Sequence, residues 1–191
     1  TITGTVGGQT LTAQQTITPF SKVLIADATD GQTETVTVTP SAAVNGTLSN
    51  LGGFTYNATT GAYIDIGTAA AVTAALDALV FTPTPHQVAP GATVTTAFTI
   101  SATDALGATA TDNTTTIIAT DVAVLPTISG TVAGQATTDR QAITPFSAVI
   151  IADANAGQTE TVAVTLSAAG NGGLSNLAGG SYDAATGVYT D

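Results

Sequence analysis

A long internal repeat constrains this chain more than any other feature of its sequence. Residues 1–65 align without a gap onto residues 127–191, at an offset of 126 residues, and about two-thirds of the aligned positions are identical. The segment TITPFSKVLIADATDGQTETVTV at 16–38, for example, returns as AITPFSAVIIADANAGQTETVAV at 142–164. Solenoid units are shorter, roughly 20–50 residues, whereas this period has the size of a domain. The sequence therefore predicts domains in tandem.

The phase of the repeat predicts where the domains begin and end. Residues 1–121 form one complete copy, residues 122–126 (VAVLP) form a short apolar linker, and residues 127–191 form the first half of a second, truncated copy. The proline of the linker disfavours a helix and favours an extended path. Half of such a domain would have an unpaired sheet edge and an open core. We expect the missing half in a longer parent protein, or strands supplied by a neighbouring chain.

The charge and the cysteine content exclude several classes of protein. The chain carries 13 acidic and 2 basic residues, a formal net charge of -11 at pH 7, and no cysteine. Nucleic acids and anionic bilayers would be repelled by this charge, and no apolar run is long enough to span a bilayer. We therefore expect no nucleic-acid binding, no membrane insertion, no disulfide framework and no thiolate metal site.

Alternation of β-branched and aromatic residues with small polar residues predicts a folded chain that is nearly all β. Within 35–39 the two valines would face the core and the three threonines the other side, as in a sheet that is buried on one face. Strands are predicted in the first copy at 23–26, 35–39, 47–49, 54–56, 62–66, 80–82, 93–101 and 114–119.

A helix and two turns complete the predicted secondary structure. Residues 68–79 place apolar side chains at helical intervals, which predicts one short helix with Thr68 as its N-cap. Asn45-Gly46 is typical of a tight turn because both residues tolerate positive φ. Residues 57–61 are typical of a longer hairpin loop that is closed by a glycine.

Strands spaced by about 8 to 15 residues in a unit of about 120 are typical of a Greek-key β-sandwich. The short helix would be a crossover between the two sheets of each module. A unit of this size buries enough surface to fold without metal or disulfides. The predicted core consists of Val23, Ile25, Val36, Val38, Leu48, Tyr63, Leu76, Phe81, Phe98 and Ile100.

Several motifs carry a resemblance to a known kind of repeat: IADATDGQTETVTV, NGTLSN, YNATTGAY, GTAAAVTAALDALVFTPT and TTAFTISATDALGATATDNTTTIIAT. They resemble the tandem Ig-like or cadherin-like repeats of very large secreted bacterial surface proteins, the adhesins and calcium-associated proteins. The likeness covers both copies and implies an extracellular or cell-surface location and calcium at domain junctions. Asp104, at the end of a core-facing row, and Asp121, before the linker, would be ligands. The linker departs from true cadherins, because VAVLP has no acidic residue and no DxNDxxP-type motif is present.

An acidic cluster is the strongest candidate site that the residues themselves indicate. Asp27, Asp30 and Glu34 lie at the end of an apolar strand and in the loop after it. Ca²⁺ prefers oxygen ligands, and two basic residues cannot balance these carboxylates. The second copy keeps Asp153 and Glu160 but has an alanine in place of Asp30. The spacing does not match an EF-hand, and a solvated loop whose aspartates cap turns is the alternative that the sequence leaves open.

Residues suited to catalysis are few. The sole histidine, His86, lies in a proline-bounded loop, the sole lysine follows no phosphate-binding loop, and no G-x-S-x-G motif occurs.

We expect a non-enzymatic, structural or adhesive module of an extracellular stalk, adhesin or surface filament, stiffened by Ca²⁺ or completed by strand donation. Its partners would be neighbouring repeats or subunits of the same protein. The alternative is a carbohydrate-binding module that contacts a surface glycan through Tyr56, Tyr63 and His86.

Overall fold

The computed structural model describes residues 1–29 and 31–191. The main regular secondary structure of these residues is β-strand, with one α-helix, α1 (Ala69–Ala78), which confirms the mostly β class and the short helix predicted above. In the described ranges, no helix is long and apolar enough to cross a membrane. The chain divides into two compact units, Thr1–Ala156 and Gly157–Asp191; the repeat boundaries at 121 and 127 stay a prediction.

The first copy contains eleven strands among its described residues. All eight predicted strands are present, with ends that differ by one or two residues, and β1, β2 and β10 are additional. The strands are β1 (Ile2–Thr3), β2 (Gln9–Thr12), β3 (Leu24–Ile25), β4 (Glu34–Pro40), β5 (Gly46–Ser49), β6 (Thr55–Asn57), β7 (Ala62–Gly67), β8 (Val80–Pro83), β9 (Thr93–Thr103), β10 (Thr109–Asp112) and β11 (Thr116–Thr120).

A seven-stranded sheet forms one side of the core. Its order is β2-β11-β9-β4-β7-β6, and β10 also pairs with β9. β2 is parallel to β11 and the other pairs are antiparallel. The central pair, β4 and β9, is in register from Thr35↔Thr103 to Pro40↔Phe98. Val36 and Val38 of β4 are fully buried and the threonines between them are partly exposed, as the alternation predicts.

The helix and two small sheets supply the rest of the core. β1 pairs with β3, and β5 pairs with β8. α1 begins after Thr68, whose hydroxyl oxygen accepts a hydrogen bond from the Ala71 N–H at 3.3 Å, so the predicted N-cap is confirmed. The helix lies against β3, β4 and β7. Thr73 joins it to β3, because its hydroxyl accepts from the N–H of Ile25 and donates to the carbonyl of the same residue.

Three phenylalanines meet at the centre of the core. The ring of Phe98 contacts Phe20 and Phe81 edge to face, with centroid distances of 5.2 and 5.4 Å, a favoured geometry for aromatic pairs. All ten predicted core residues are buried. Five further large apolar side chains are buried that were not predicted as core: Phe20, Phe54, Val72, Leu79 and Ile117.

One predicted turn has a different form in the structure. Residues Ala43–Asn45 form a 3₁₀ turn, and Gly46 begins β5, which pairs with β8 and not with β4. A hairpin between β4 and β5 is not possible because both edges of β4 are occupied, by β7 and β9. The predicted hairpin loop at 57–61 is confirmed, and Gly61 closes it with a φ of 70°.

The second copy repeats the local structure of the first at the same offset of 126 residues. Its strands are β12 (Thr127–Ser129), β13 (Ile150–Ala152), β14 (Ala163–Thr165), β15 (Ser181–Asp183) and β16 (Val188–Thr190). Each strand pair keeps the register of its counterpart: Ile2↔Ile25 becomes Ile128↔Ile151, Val38↔Tyr63 becomes Val164↔Tyr189, and Tyr56↔Tyr63 becomes Tyr182↔Tyr189.

Within the part of the first copy that aligns with the second, residues 1–65, two strands have no counterpart. Residues 135–138 and 172–175, which correspond to β2 and β5, are not strands. In the first copy, β2 pairs with β11 and β5 pairs with β8, and the counterparts of both partners lie outside 127–191. Both segments lack the partner that their backbone hydrogen bonds need, and residues 135–138 also differ from β2 at two of four positions.

The repeat offers a matched pair of substitutions for testing the core. Phe20 is 0% exposed, whereas Phe146, at the same position of the second copy, is 48% exposed. We expect Phe20→Ala to lower the free energy of unfolding by about 3–5 kcal/mol because it removes a ring from the packed cluster. Phe146→Ala should cost less than about 1 kcal/mol. Urea denaturation followed by far-UV circular dichroism measures both, and equal losses would contradict the packing described here.

Asp77 is poorly placed in the last turn of α1. It is partly buried, its Oδ1 has no hydrogen-bond partner among the described residues, and burial raises the pKa of its carboxyl above 3.8. A negative charge near a helix C-terminus is also unfavourable. The pKa of Asp77 is therefore higher in the folded protein than in the unfolded one. Its contribution to stability is fully present at pH values below the unfolded pKa, and it is lost as the pH rises through the folded pKa.

Asp77→Asn should therefore stabilise the protein at neutral pH. We expect a gain of up to about 1 kcal/mol at pH 7, because the amide avoids burying a charge, and no gain near pH 3, where the aspartate is itself neutral. Thermal melting across this pH range measures the difference. Asp139→Asn, at an exposed position, is the control; a gain for Asp77→Asn that persists at pH 3 would argue against the charge as the cause.

Candidate functional site

A cavity of about 310 Å³ lies where β3, β4 and β9 end or begin. Three acidic side chains contribute to its wall, Asp27 after β3, Glu34 at the start of β4 and Asp104 after β9. The pairing of Thr35 with Thr103 brings Glu34 and Asp104 together, because Glu34 directly precedes Thr35 and Asp104 directly follows Thr103. The remaining lining residues are small: Thr1, Ala26, Ala28, Ala102, Ala108, Thr109 and Ala110.

Glu34 is the most unusual residue of this cavity. It is only 4% exposed, and its Oε1 receives no hydrogen bond from the described residues. Among those residues, no lysine or arginine forms a salt bridge with Glu34. An ionised carboxylate that is buried without a partner is costly. Burial, followed by the nearby Asp27, accordingly raises the pKa of Glu34 above 4.5, and the charge of Asp104 adds to this effect.

Asp27 faces Glu34, and the two side chains are hydrogen-bonded to each other. The Oδ1 of Asp27 also accepts the Thr29 N–H at 2.9 Å. The Thr29 N–H bond is the largest cause that lowers the pKa of Asp27 below 3.8, and a hydrogen bond with Glu34 lowers it further. The opposite shifts describe a carboxyl pair in which Glu34 keeps the proton and Asp27 is ionised.

Asp104 is held in the turn between β9 and β10. Its Oδ1 accepts hydrogen bonds from the N–H groups of Leu106 and Ala108, both at 2.8 Å, and Gly107 follows with a φ of 88°. Its second oxygen takes no part in these bonds. In the part of the chain that the structure describes, no three His, Cys, Asp or Glu side chains are close enough to hold a metal ion as they stand. Asp30, the remaining predicted ligand of this loop, lies outside the described residues.

Asp121 lies at the other end of β9 and has a different environment. Its N–H donates to the carbonyl of Ala92, next to the start of the strand, whereas Asp104 follows the end of the same eleven-residue strand. At 3.3 Å per residue the two aspartates are roughly 35–40 Å apart. Asp121 is 3% exposed, and its carboxylate accepts the N–H groups of His86 at 3.0 Å and Val88 at 3.3 Å. These bonds order the loop before β9.

Of the predicted ligands of the second copy, Asp153 makes the same turn bond as Asp27. Its Oδ1 accepts the N–H of Asn155 at 2.7 Å. Glu160, in the unit Gly157–Asp191, is partly buried. Asn155 has a role that the sequence analysis missed: its side chain donates to the carbonyl of Val124 and accepts from the N–H of the same residue. The alignment of the two copies shows a change at this position, from Thr29 to Asn155, and this change is the signal in the sequence for the role of Asn155.

The three residues suggested for carbohydrate binding have different environments. Tyr63 is 6% exposed, and its hydroxyl oxygen accepts the Leu48 N–H at 3.1 Å. Tyr56 is 48% exposed and contacts Tyr63 at a centroid distance of 4.8 Å, beside a largely apolar cavity of about 240 Å³. The Nδ1 of His86 is 3.7 Å from Asp121. Tyr63 thus supports the fold, and Tyr56 is the aromatic side chain of the three that offers a sizeable exposed surface.

Comparison with known proteins does not assign a family. No family model matches the chain, and no curated protein matches it. The candidate functions therefore depend on the residues described above.

Asp121 allows a test of its structural role. We expect Asp121→Ala to lower the free energy of unfolding by about 2–3 kcal/mol, because two partly buried N–H groups lose a charged acceptor. Amide exchange at His86 and Val88 should accelerate at the same time. Asp112→Ala is the control, since Asp112 caps a more exposed turn and should cost about 1 kcal/mol or less. Unchanged exchange at His86 and Val88 in the Asp121 variant would contradict the assignment.

Proposed function

We propose that this chain is a structural or adhesive, non-enzymatic module of an extracellular repeat array, such as a stalk, adhesin or surface filament. Each period of 126 residues would form one Greek-key β-sandwich of the Ig-like or cadherin-like kind. The observation that carries this proposal is the recurrence of the same strand registers 126 residues apart. Recurrent local structure supports units that repeat along a chain, each built from its own sequence.

Glycines and side-chain hydrogen bonds repeat along with the registers. Gly4 and Gly130 have φ values of 77° and 72°, and a Cβ at either would collide with the carbonyl oxygen of Lys22 or Ala148, respectively. Only glycine fits such a position. The amides of Gln9 and Gln135 also make the same pair of bonds, to the carbonyls that lie three residues before and ten residues after each glutamine. This agreement supports one shared fold for successive copies.

The unit Gly157–Asp191 has features that support completion by an added strand. Among the described residues, β14 pairs with β16 alone, whereas its counterpart β4 has β7 on one edge and β9 on the other. Val162 and Val164 are partly exposed, and their counterparts in β4 are fully buried. A strand like β9 would pair with this edge and cover this face, whether it comes from the same chain or from a neighbour.

The second candidate function is carbohydrate binding. It is favoured by the exposed ring of Tyr56 beside an apolar cavity, since sugars stack on exposed aromatic faces. A single exposed ring, with Tyr63 buried beneath it, is a small platform for a glycan. We therefore prefer the structural role.

The array is tested by lengthening it. Chains that carry one, two and three further copies of residues 1–126 before the present sequence should increase in maximum dimension by equal steps. We expect roughly 35–45 Å per copy, the length of an eleven-residue strand with its turns. Small-angle X-ray scattering measures this dimension, and globular proteins of equal mass are the controls. A dimension that grows only as the cube root of the mass would contradict a serial arrangement.

The same scattering data separate the two routes of completion. Forward scattering of the 191-residue chain gives its mass, and multiples of 18.6 kDa that increase with concentration would indicate strands supplied by a neighbouring chain.

Labelling of intact producing cells with an antibody against residues 1–121 tests the location. A signal that requires permeabilised cells would contradict an extracellular module.

A further inference from the structure

The same turn occurs once in each copy and ends on the same dipeptide. Residues Ala43–Asn45 and Ala169–Asn171 each form a 3₁₀ turn, and a glycine follows in both cases, Gly46 and Gly172. Each asparagine donates its N–H to the carbonyl three residues before it, at 3.2 and 3.1 Å. The two dipeptides therefore share sequence and local backbone, and they differ in what surrounds them.

Asparagine followed by glycine is the dipeptide in which deamidation is chemically easiest. The peptide nitrogen of the glycine loses its proton to base and attacks the side-chain Cγ of the asparagine, and glycine has no Cβ to hinder this approach. A bond forms between this nitrogen and Cγ, the bond between Cγ and Nδ2 breaks, and the amide leaves as ammonia after taking a proton from solvent. A water molecule then opens the resulting succinimide at either of its carbonyls, which gives aspartate or isoaspartate.

In the first copy, tertiary contacts hold this dipeptide in place. The carbonyl of Asn45 accepts the N–H of Thr84 at 2.9 Å, and its side-chain amide donates to the carbonyl of Thr95 at 3.3 Å. Gly46 is buried and belongs to β5, which pairs with β8, and even a Cβ at this position would collide with the carbonyl oxygen of Thr82. Attack on Cγ requires rotation of the peptide between Asn45 and Gly46, and these contacts oppose it.

In the second copy, the same dipeptide lacks these neighbours. The positions that correspond to the three threonines lie outside 127–191, and residues 172–175 are not a strand. Asn171 and Gly172 are both exposed, and a Cβ at Gly172 would lie in open space. The hydroxyl of Tyr182 donates to the carbonyl of Gly172 at 3.3 Å, but this carbonyl belongs to the following peptide and not to the one that must rotate.

We propose that Asn171 is a site of spontaneous deamidation in this chain and that the fold protects Asn45 from the same reaction. Reaction at Asn45 has to wait until β5 separates from β8, whereas Asn171 reaches the reactive geometry without such an opening. The product carries an additional negative charge, and isoaspartate also adds a carbon to the backbone of the turn. The modification accumulates for as long as this turn stays exposed. This inference does not depend on the proposed array, because it compares two sites within one chain.

Peptide mapping of the whole 191-residue chain by mass spectrometry tests the site. The protein is incubated in mildly alkaline buffer and digested with pepsin at acidic pH, where the reaction stalls, and the conversion of each asparagine is followed over time. We expect Asn171 to convert at least about ten times faster than Asn45, because local opening limits the reaction of the protected site. In concentrated urea, which unfolds both copies, the two rates should become similar.

Two substitutions at exposed glycines form a matched pair. Gly172→Ala places a Cβ beside the attacking nitrogen and should slow the conversion of Asn171 by at least about tenfold, whereas Gly173→Ala, one residue later, should leave it nearly unchanged. Equal rates for Asn45 and Asn171 in the folded protein would overturn the proposal. So would an Asn171 that converts in urea but not in the folded protein, or two glycine variants that slow the reaction equally.

Discussion

The pairing of β4 with β9 is the interaction on which the rest of the first copy depends. It joins residues 35–40 to residues 98–103, far apart in sequence, and it places Val36, Val38, Phe98 and Ile100 in one buried cluster. The ring of Phe98 then organises the aromatic centre. At its other end the same pairing sets Glu34 beside Asp104. One ladder thus determines both the core and the acidic cavity.

Much of the fold follows from periodicity, and the exceptions have physical causes. The alternation in β4 and the helical spacing around Leu76 predict both burial and element type correctly. β1, β2 and β10 escape prediction because each carries at most one large apolar residue, whereas equally short strands such as β3 and β8 carry two. The local chemistry of Asn45-Gly46 favours a hairpin, but it cannot reveal that β4 already has partners on both edges.

The acidic residues show the same division between local and long-range information. Asp27 and Glu34 are close in sequence, so the amino-acid order alone indicates that they form a cluster. The burial of Glu34 is not predictable in this way, because it depends on residues that are distant in sequence. Ala102 and Ala110, which help to enclose the cavity, lie about seventy positions after Glu34. The family resemblance makes Asp104 and Asp121 candidate ligands at domain junctions, and this stays a prediction. The structure adds a local role for Asp121, whose carboxylate accepts the N–H groups of His86 and Val88.

The two segments that do not become strands in the second copy bear on how such a chain folds while it is being made. Pairs formed between nearby residues, such as β15 with β16, are present there, whereas segments that need a distant partner stay irregular. Hairpins of short sequence separation also form fastest. A copy can therefore begin to fold from its amino-terminal half as a nascent chain. Its apolar face is then open to solvent until the later strands emerge, and this interval is when it is most prone to aggregate.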